Sequence, residues 1–83
     1  MQNTAFDFTQ VTMELDASGL KCPLPILRAK KALAQLESGQ VLSILTTDTH
    51  AVQDFQAFCQ QTGNALLLQQ TEGEKTQHIL RRR

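Results

Sequence analysis

The sequence predicts a two-layer α/β sandwich, in which two helices cover one face of a four-stranded mixed sheet in the order β-α-β-α-β-β. Two observations carry this prediction. Segments whose apolar residues alternate are interleaved with segments of helical period, and 83 residues suffice for one domain of two packed layers. We expect a flexible N-terminal extension over residues 1–10, which are largely polar, and a single domain over residues 11–83.

The first half of the domain is predicted to form a strand, a turn and a helix. Apolar and polar residues alternate from Val11 to Asp16, which is the period of a half-buried strand. A turn sequence, Asp-Ala-Ser-Gly, follows. Apolar residues then recur every three or four positions from Ile26 to Leu36, which indicates an amphipathic helix. Gly39 is predicted to close it, because glycine readily adopts the left-handed conformation that ends helices.

The second half is predicted to contain a buried strand, a second helix and a hairpin. Helical spacing of apolar residues over 52–62 indicates the helix, with Asp48 or Thr49 as its N-cap and Gly63 at its end. The strands and the turn follow from apolar runs and turn residues: strand 41–45, strand 66–70, turn 72–74 and strand 76–80.

Charge and cysteine content narrow the function. Eight Lys and Arg balance eight Asp and Glu, so the net charge gives no general attraction to nucleic acid or membrane. No signal peptide or membrane-length apolar run is recognisable, and two cysteines without an export signal suggest free thiols. We therefore predict a cytoplasmic protein with no stable nucleic-acid binding and no membrane association. The scattered Cys and His residues make no ligand set, so neither a metal nor a cofactor is predicted.

The candidate for chemistry is a Cys-Pro-Leu-Pro motif that begins at Cys22. Proline is tolerated in the first helical turn, so Pro23 and Pro25 stiffen the start of the first helix and place Cys22 at its N-cap. The helix dipole, with Lys21 and Arg28, should favour a thiolate or a persulfide anion there. A helix end contributes roughly 0.3 to 1 kcal/mol, so we expect moderate activation. The alternative is that Cys22 is only a helix cap.

Other residues have both a structural and a functional interpretation. Cys59 lies on the apolar stripe of the second helix, where core packing is favoured over a role as a resolving thiol. Asp48 is a helix cap or a site residue. The C-terminal run 81–83 is a solubilising tail or a contact for RNA phosphate. The cations near the motif form a solvated face or a docking surface for an acidic partner: Lys21, Arg28, Lys30 and Lys31.

The Cys-Pro-x-Pro motif and its surroundings resemble the TusA/SirA-type sulfur carrier family. The resemblance covers nearly everything from Val11 onward, and the Cys-Pro-x-Pro element is specific. One departure is Thr49, where the family often has proline. The positions that carry the resemblance are Leu15, Asp16, Gly19 to Pro25, Asp48, Asp54, Phe55, Phe58, Cys59, Leu80 and Arg81.

This resemblance implies a fold like the C-terminal domain of bacterial translation initiation factor three, and a sulfurtransferase that carries a persulfide on Cys22. It implies a cysteine desulfurase or a rhodanese as donor, and a DsrE-type or other sulfur relay protein as acceptor. The pathways it suggests are tRNA thiolation, cofactor biosynthesis and sulfur oxidation. The alternative function is a non-catalytic regulatory module, or one that binds RNA or protein.

Overall fold

In a computed structural model, residues 8–83 are described, and they form the predicted β-α-β-α-β-β arrangement. Of the predicted flexible extension, residues 1–7 lie outside the described residues. Within 8–83, no helix is long and apolar enough to span a lipid bilayer. The elements are a short 3₁₀ helix (Phe8–Gln10), β1 (Val11–Ala17), α1 (Leu24–Ala34), β2 (Val41–Thr46), α2 (Ala51–Thr62), β3 (Ala65–Glu72) and β4 (Lys75–Arg81).

The four strands form one mixed sheet in the order β1-β2-β4-β3. β1 runs parallel to β2, whereas β4 is antiparallel to both of its neighbours. Ala17, the last residue of β1, pairs with Thr46, the last residue of β2. Because parallel strands end at the same edge of a sheet, the loops that follow β1 and β2 lie side by side. These two loops carry Cys22 and Asp48.

Both helices pack on the same face of the sheet. Along β1, core-facing residues alternate with exposed ones, which confirms the predicted period of two. α1 and α2 contribute to a single cluster of buried apolar residues, so one core holds the two layers together. The buried members are Ala17, Ala29, Ala32, Leu33, Leu36, Leu42, Ile44, Ala51, Phe55, Cys59 and Leu80.

The end of α1 differs from the prediction. The helix ends at Ala34, and its C-cap is Gln35 in a right-handed conformation, not Gly39. Leaving the helix there allows Leu36 to be buried in the core, where it is 6% exposed. Gly39 instead occupies the turn before β2 with φ +87°, and its N–H donates to the carbonyl of Arg82 at 2.8 Å. The left-handed conformation of Gly39 therefore forms this turn and allows its hydrogen bond to Arg82.

The start of α2 also differs, while its end is confirmed. His50 is the N-cap and makes no side-chain capping bond, so the predicted caps Asp48 and Thr49 are wrong. One oxygen of the Asp48 carboxylate accepts the N–H of Cys22 in the neighbouring loop, and the other accepts the N–H of His50. Gly63 ends the helix in the left-handed conformation, with φ +82°, and its N–H donates to the carbonyl of Cys59.

A buried histidine joins α2 to the sheet. His78 is fully buried on β4, and its ring stacks on Phe55 with the centroids 4.4 Å apart. The Gln69 side-chain amide nitrogen lies 3.0 Å from Nδ1, so Nδ1 accepts and the ring proton sits on Nε2, which donates to Thr46 Oγ1 at 2.8 Å. Both ring nitrogens are therefore satisfied in the neutral form. Burial lowers the pKa of His78 to about 4.

We expect this histidine to make the fold sensitive to acid. An unfolded histidine titrates near a pKa of about 6.5, so between that pH and about 4 the unfolded chain binds more protons than the folded one. The free energy of unfolding should therefore fall as the pH is lowered through this window. Urea unfolding at several pH values measures it, and His78→Gln should flatten the decline, whereas His50→Gln at an exposed position should keep it. Equal slopes in wild type and His78→Gln would contradict this assignment.

Candidate functional site

The loop that carries Cys22 is attached to the loop after β2. The backbone N–H of Gly19 donates to Thr47 Oγ1 at 2.8 Å, and the backbone N–H of Cys22 donates to Asp48 Oδ2 at 2.9 Å. Both hydrogen bonds cross between loops that the parallel strands already bring together. The main chain of Cys22 is therefore fixed although its side chain is exposed.

The motif starts α1 one residue later than predicted. The N-cap is Pro23, without a side-chain capping bond, so the placement of Cys22 at the N-cap is wrong. Leu24 is the first helical residue, and its N–H closes a turn onto the carbonyl of Lys21 at 2.8 Å. Pro25 is buried in the first turn, and the Cys22–Pro23 peptide bond is cis. The Cys22 thiol therefore caps no helix, and the cap interpretation has no structural support.

Two carboxylates lie beside the Cys22 sulfur. Cys22 Sγ and one carboxylate oxygen from each of Asp48 and Asp54 lie within 4.8 Å of one another. Exposed acidic groups commonly lie this close without a bound cation, so the grouping indicates local negative charge and is not by itself a metal site. Cys22 and Asp54 also line a shallow hollow of about 260 Å³, together with Ile26 and Phe58. This hollow is open and has no enclosed space for a substrate.

The charged groups beside the Cys22 sulfur are negative, whereas the sequence predicted positive ones. The pKa of the Cys22 thiol is raised, first by a hydrogen bond with the Asp54 side chain, then by desolvation and by the negative charges of Asp54 and Asp48. The prediction that the helix dipole, Lys21 and Arg28 activate the Cys22 thiol is therefore wrong for the cysteine without bound sulfur. A carboxylate in hydrogen-bond contact outweighs a helix end that contributes roughly 0.3 to 1 kcal/mol.

Asp48 fixes the position of the Cys22 main chain. Its side chain is only 11% exposed, and its carboxylate accepts the backbone N–H groups of Cys22 and His50. These bonds lower the pKa of Asp48, with a smaller contribution from the His50 side chain at 3.4 Å. Asp48 is therefore ionised at neutral pH and orients the main chain of Cys22. Its small exposed area suits this role better than contact with a partner.

The basic patch predicted around the motif is divided between two sides of α1. Lys21, Arg28 and Lys31 are all exposed. Arg28 and Lys31 line a cavity of about 330 Å³ between α1 and β1, with Met13 and Leu15. They do not line the hollow at Cys22. These predicted docking residues therefore belong to a second surface, except for Lys21, which precedes the cysteine.

A third cavity continues the hollow away from Cys22. It measures about 360 Å³, and its cationic lining residues are Lys30, Arg82 and Arg83. Phe58 and Gln61 line both this cavity and the hollow at Cys22. The two cavities are neighbours between α1 and α2, and we call them together the α1–α2 groove. It is negative at the Cys22 end and positive at the far end.

The C-terminal arginines are held in place at the far end of this groove. The N–H of Arg82 donates to the carbonyl of Gln40 at 2.9 Å, and its own carbonyl accepts the N–H of Gly39. The N–H of Arg83 donates to Asn64 Oδ1 at 3.0 Å. Arg82 and Arg83 therefore form a fixed wall of the groove. The sequence analysis interpreted them as part of a basic tail.

Thr49 and Cys59 lie apart from the Cys22 hollow. Thr49 lines a separate cavity of about 410 Å³ that also includes Gly73 and Glu74 of the β3–β4 turn. Cys59 is 5% exposed and belongs to the core, as predicted, and burial raises its pKa to about 11. Sequence reasoning gave no role to Asp54, although it is the one acidic residue of α2.

Comparison with known proteins agrees with this geometry. A family model described as "Sulfurtransferase TusA" matches residues 13–82. The chain is 54% identical over 76 residues to the sulfur carrier protein TusA of Allochromatium vinosum, covering 92% of this chain and 96% of that protein. The crystal structure of the SirA-like protein from Desulfitobacterium hafniense superposes with a TM-score of 0.75 at 29% identity, covering 84% of this chain and 96% of that one.

Proposed function

The chain belongs to the TusA sulfurtransferase family and is a sulfur carrier, and from this premise we propose that it carries sulfur as a persulfide on Cys22. The observation that supports the proposal is an exposed thiol whose main chain is fixed by Asp48, on a surface without an enclosed pocket. A partner protein can reach such a sulfur directly. Cys59 lacks this access because it is buried.

The transfer consists of two thiol exchange steps. In loading, Cys22 Sγ attacks the terminal sulfur of a donor persulfide, a new S–S bond forms, and the S–S bond of the donor breaks. The donor leaves as a thiol and takes up the proton that Cys22 releases. In delivery, an acceptor thiol attacks the terminal sulfur, the Sγ–S bond breaks, and Cys22 returns to the thiol form. Neither step consumes an external oxidant or reductant.

A sulfur carrier has a donor and an acceptor, and we propose their classes from the family resemblance. The donor is a cysteine desulfurase or a rhodanese, and the acceptor is a DsrE-type or other sulfur relay protein. The sulfur then serves tRNA thiolation, cofactor biosynthesis or sulfur oxidation. The two free thiols suit a reducing compartment, so we place the protein in the cytoplasm.

We propose the α1–α2 groove as the docking surface for such a partner. It begins at Cys22, has Phe58 along its course and ends at Lys30 and Arg82. Leu24 and Leu27, two and five residues after Cys22 in the sequence, are exposed apolar side chains on α1. An acidic segment that lies along the groove would neutralise the cationic end while its thiol reaches the sulfur.

Charge reversal on α1 tests this surface with a matched pair. Lys30→Glu should lower the rate of sulfur transfer to the partner by roughly tenfold at low ionic strength, with a difference that shrinks as salt is added. Arg28→Glu, which makes the same charge change on the β1 side of α1, should have a smaller effect. If Arg28→Glu has the larger effect, the partner docks on the β1 side and the groove proposal is wrong.

The carrier function is tested by a chase experiment. The protein is loaded from a desulfurase with ³⁵S-labelled cysteine, separated from the donor, and mixed with a sulfur relay protein as acceptor. We expect reductant-sensitive label to leave the carrier and to arrive on the acceptor. Label that stays on Cys22 in the presence of several acceptors of this class would show a dead-end modification and would favour the regulatory module.

A further inference from the structure

Asp54 is one of two acidic side chains beside the reacting sulfur. It lies in the first turn of α2, where its N–H donates to the carbonyl of His50, and a carboxylate oxygen lies within 4.8 Å of Cys22 Sγ in the hollow that both residues line. Asp48 is committed to backbone N–H groups, so the two carboxylates of the site have different tasks. Asp48 holds the main chain of Cys22, and Asp54 faces its sulfur.

The acidic side chain beside the sulfur favours the protonated thiol when Cys22 carries no extra sulfur. A thiolate would place a negative charge against this acidic side chain, and the pKa of the Cys22 thiol is accordingly raised. A persulfide is a stronger acid than a thiol, so loading favours an anion where the empty site favours a neutral thiol. The loaded state therefore places two negative groups next to each other, and they repel.

We propose that Asp54 drives sulfur out of the loaded carrier: its carboxylate stabilises the empty thiol and destabilises the persulfide anion, so that sulfur is passed on and not stored. This inference rests on the proposed function of Cys22. Both effects act in the same direction, because one favours the product of delivery and the other disfavours its reactant. In delivery, the departing Cys22 sulfur takes up the proton of the acceptor thiol and returns to the neutral thiol that the Asp54 side chain favours.

The other charged groups near Cys22 do not cancel this effect. Asp48 adds a second negative charge, and the His50 ring lies against Asp48. Lys21 and Arg28 are the cations nearest in sequence, and the balance at the sulfur is nevertheless set by the two carboxylates. The persulfide adds one S–S bond of about 2 Å, so its terminal sulfur is one bond farther from the sulfur that Asp54 contacts.

Asp54→Asn tests the proposal, because asparagine has nearly the same shape and no charge. The first readout is alkylation of Cys22 by iodoacetamide as a function of pH, without any sulfur compound. We expect its midpoint to shift to lower pH than in wild type. The second readout is the loaded fraction in a fixed mixture of glutathione persulfide and glutathione, with EDTA present. We expect a larger loaded fraction and slower release to glutathione after the persulfide is removed.

Two further variants serve as controls. Glu37→Gln removes the same charge at an exposed position beyond the far end of α1, and it should leave both readouts at wild-type values. Asp54→Glu restores the charge with a longer side chain, and it should move both readouts back toward wild type. Unfolding by urea and the far-ultraviolet spectrum confirm that each variant is folded before it is compared.

The outcomes separate this proposal from the function on which it rests. If Asp54→Asn loads to the same fraction as wild type, the proposal is overturned, whether or not the alkylation midpoint moves. An unchanged alkylation midpoint would show that Asp54 does not stabilise the protonated thiol of Cys22, and this result would also overturn the proposal. If wild type fails to load at all while the midpoints still differ, the contact is real and the persulfide function has failed.

Discussion

Cys22→Ser is expected to reduce sulfur acceptance to background. A serine hydroxyl has nearly the same size but forms no S–S bond, so the first exchange step has no product. The substitution should leave the fold intact, because the Cys22 side chain is exposed and caps no helix. The measurement is the reductant-sensitive ³⁵S that remains on the protein after incubation with a cysteine desulfurase and labelled cysteine, followed by gel filtration.

Cys59→Ala is the matched control for this experiment. Cys59 is buried in the core and its pKa is raised to about 11, so its thiol is neutral and shielded at neutral pH. The variant should accept sulfur as wild type does, with some loss of stability from the smaller side chain. Label retained by Cys22→Ser and lost from Cys59→Ala would move the site to Cys59 and contradict the account.

Phe55→Ala is expected to have the largest effect on stability. Phe55 is fully buried, stacks on His78 and meets Phe58 edge to face with the ring centroids 6.4 Å apart. Its truncation leaves a cavity under α2, and such changes typically cost about 3 to 5 kcal/mol. A domain of this length has roughly 4 to 12 kcal/mol of total stability, so the variant should be near its unfolding threshold. Urea unfolding monitored by circular dichroism measures the loss.

Phe58→Ala separates core packing from helix propensity in this test. Phe58 lies on the same helix but is only partly buried, at the α1–α2 groove. We expect it to lose clearly less stability than Phe55→Ala, since less apolar area is removed from the core. Equal losses in the two variants would mean that the contacts of Phe55 with the sheet are not the main contribution of α2.

The strands and helices could be predicted because their signals are local. The alternation along β1 and the helical spacing in α1 and α2 are each visible within a dozen residues, and the structure confirms them. The end of α2 at Gly63 was also predicted correctly, whereas both helix starts and the end of α1 were not. Asp48 has the residue type of a cap, but its carboxylate bonds the backbone of Cys22, 26 positions away in the sequence. Only the parallel pairing of β1 with β2 brings these residues together.

The motif cysteine was recognisable from the sequence, whereas its electrostatic surroundings were not. The resemblance to TusA-type carriers singled out Cys22, and the family match supports that resemblance. The nearest charges in sequence are cations, yet the charges that act on the sulfur come from Asp54 and Asp48 on other segments. A prediction made from neighbours in sequence therefore gave the wrong direction for the thiol pKa.

The division of the basic patch follows from helix geometry. Neighbouring residues on an α-helix point about 100° apart, so Lys30 and Lys31 face different sides of α1. Lys30 lines the α1–α2 groove, and Lys31 lines the cavity beside β1. The prediction of a single basic patch did not take this angle into account. The fixed position of Arg82 and Arg83 at the groove depends on strand and turn contacts that the sequence does not show.

The persulfide on Cys22 is the central claim, and intact-mass spectrometry tests it most directly. Wild-type protein is incubated with a cysteine desulfurase and cysteine, or with a rhodanese and thiosulfate, and its mass is measured before and after reduction. The account predicts a reductant-sensitive gain of one sulfur atom, located by peptide mapping on the fragment that contains Cys22. A gain located on Cys59, or no gain with either donor, would contradict it.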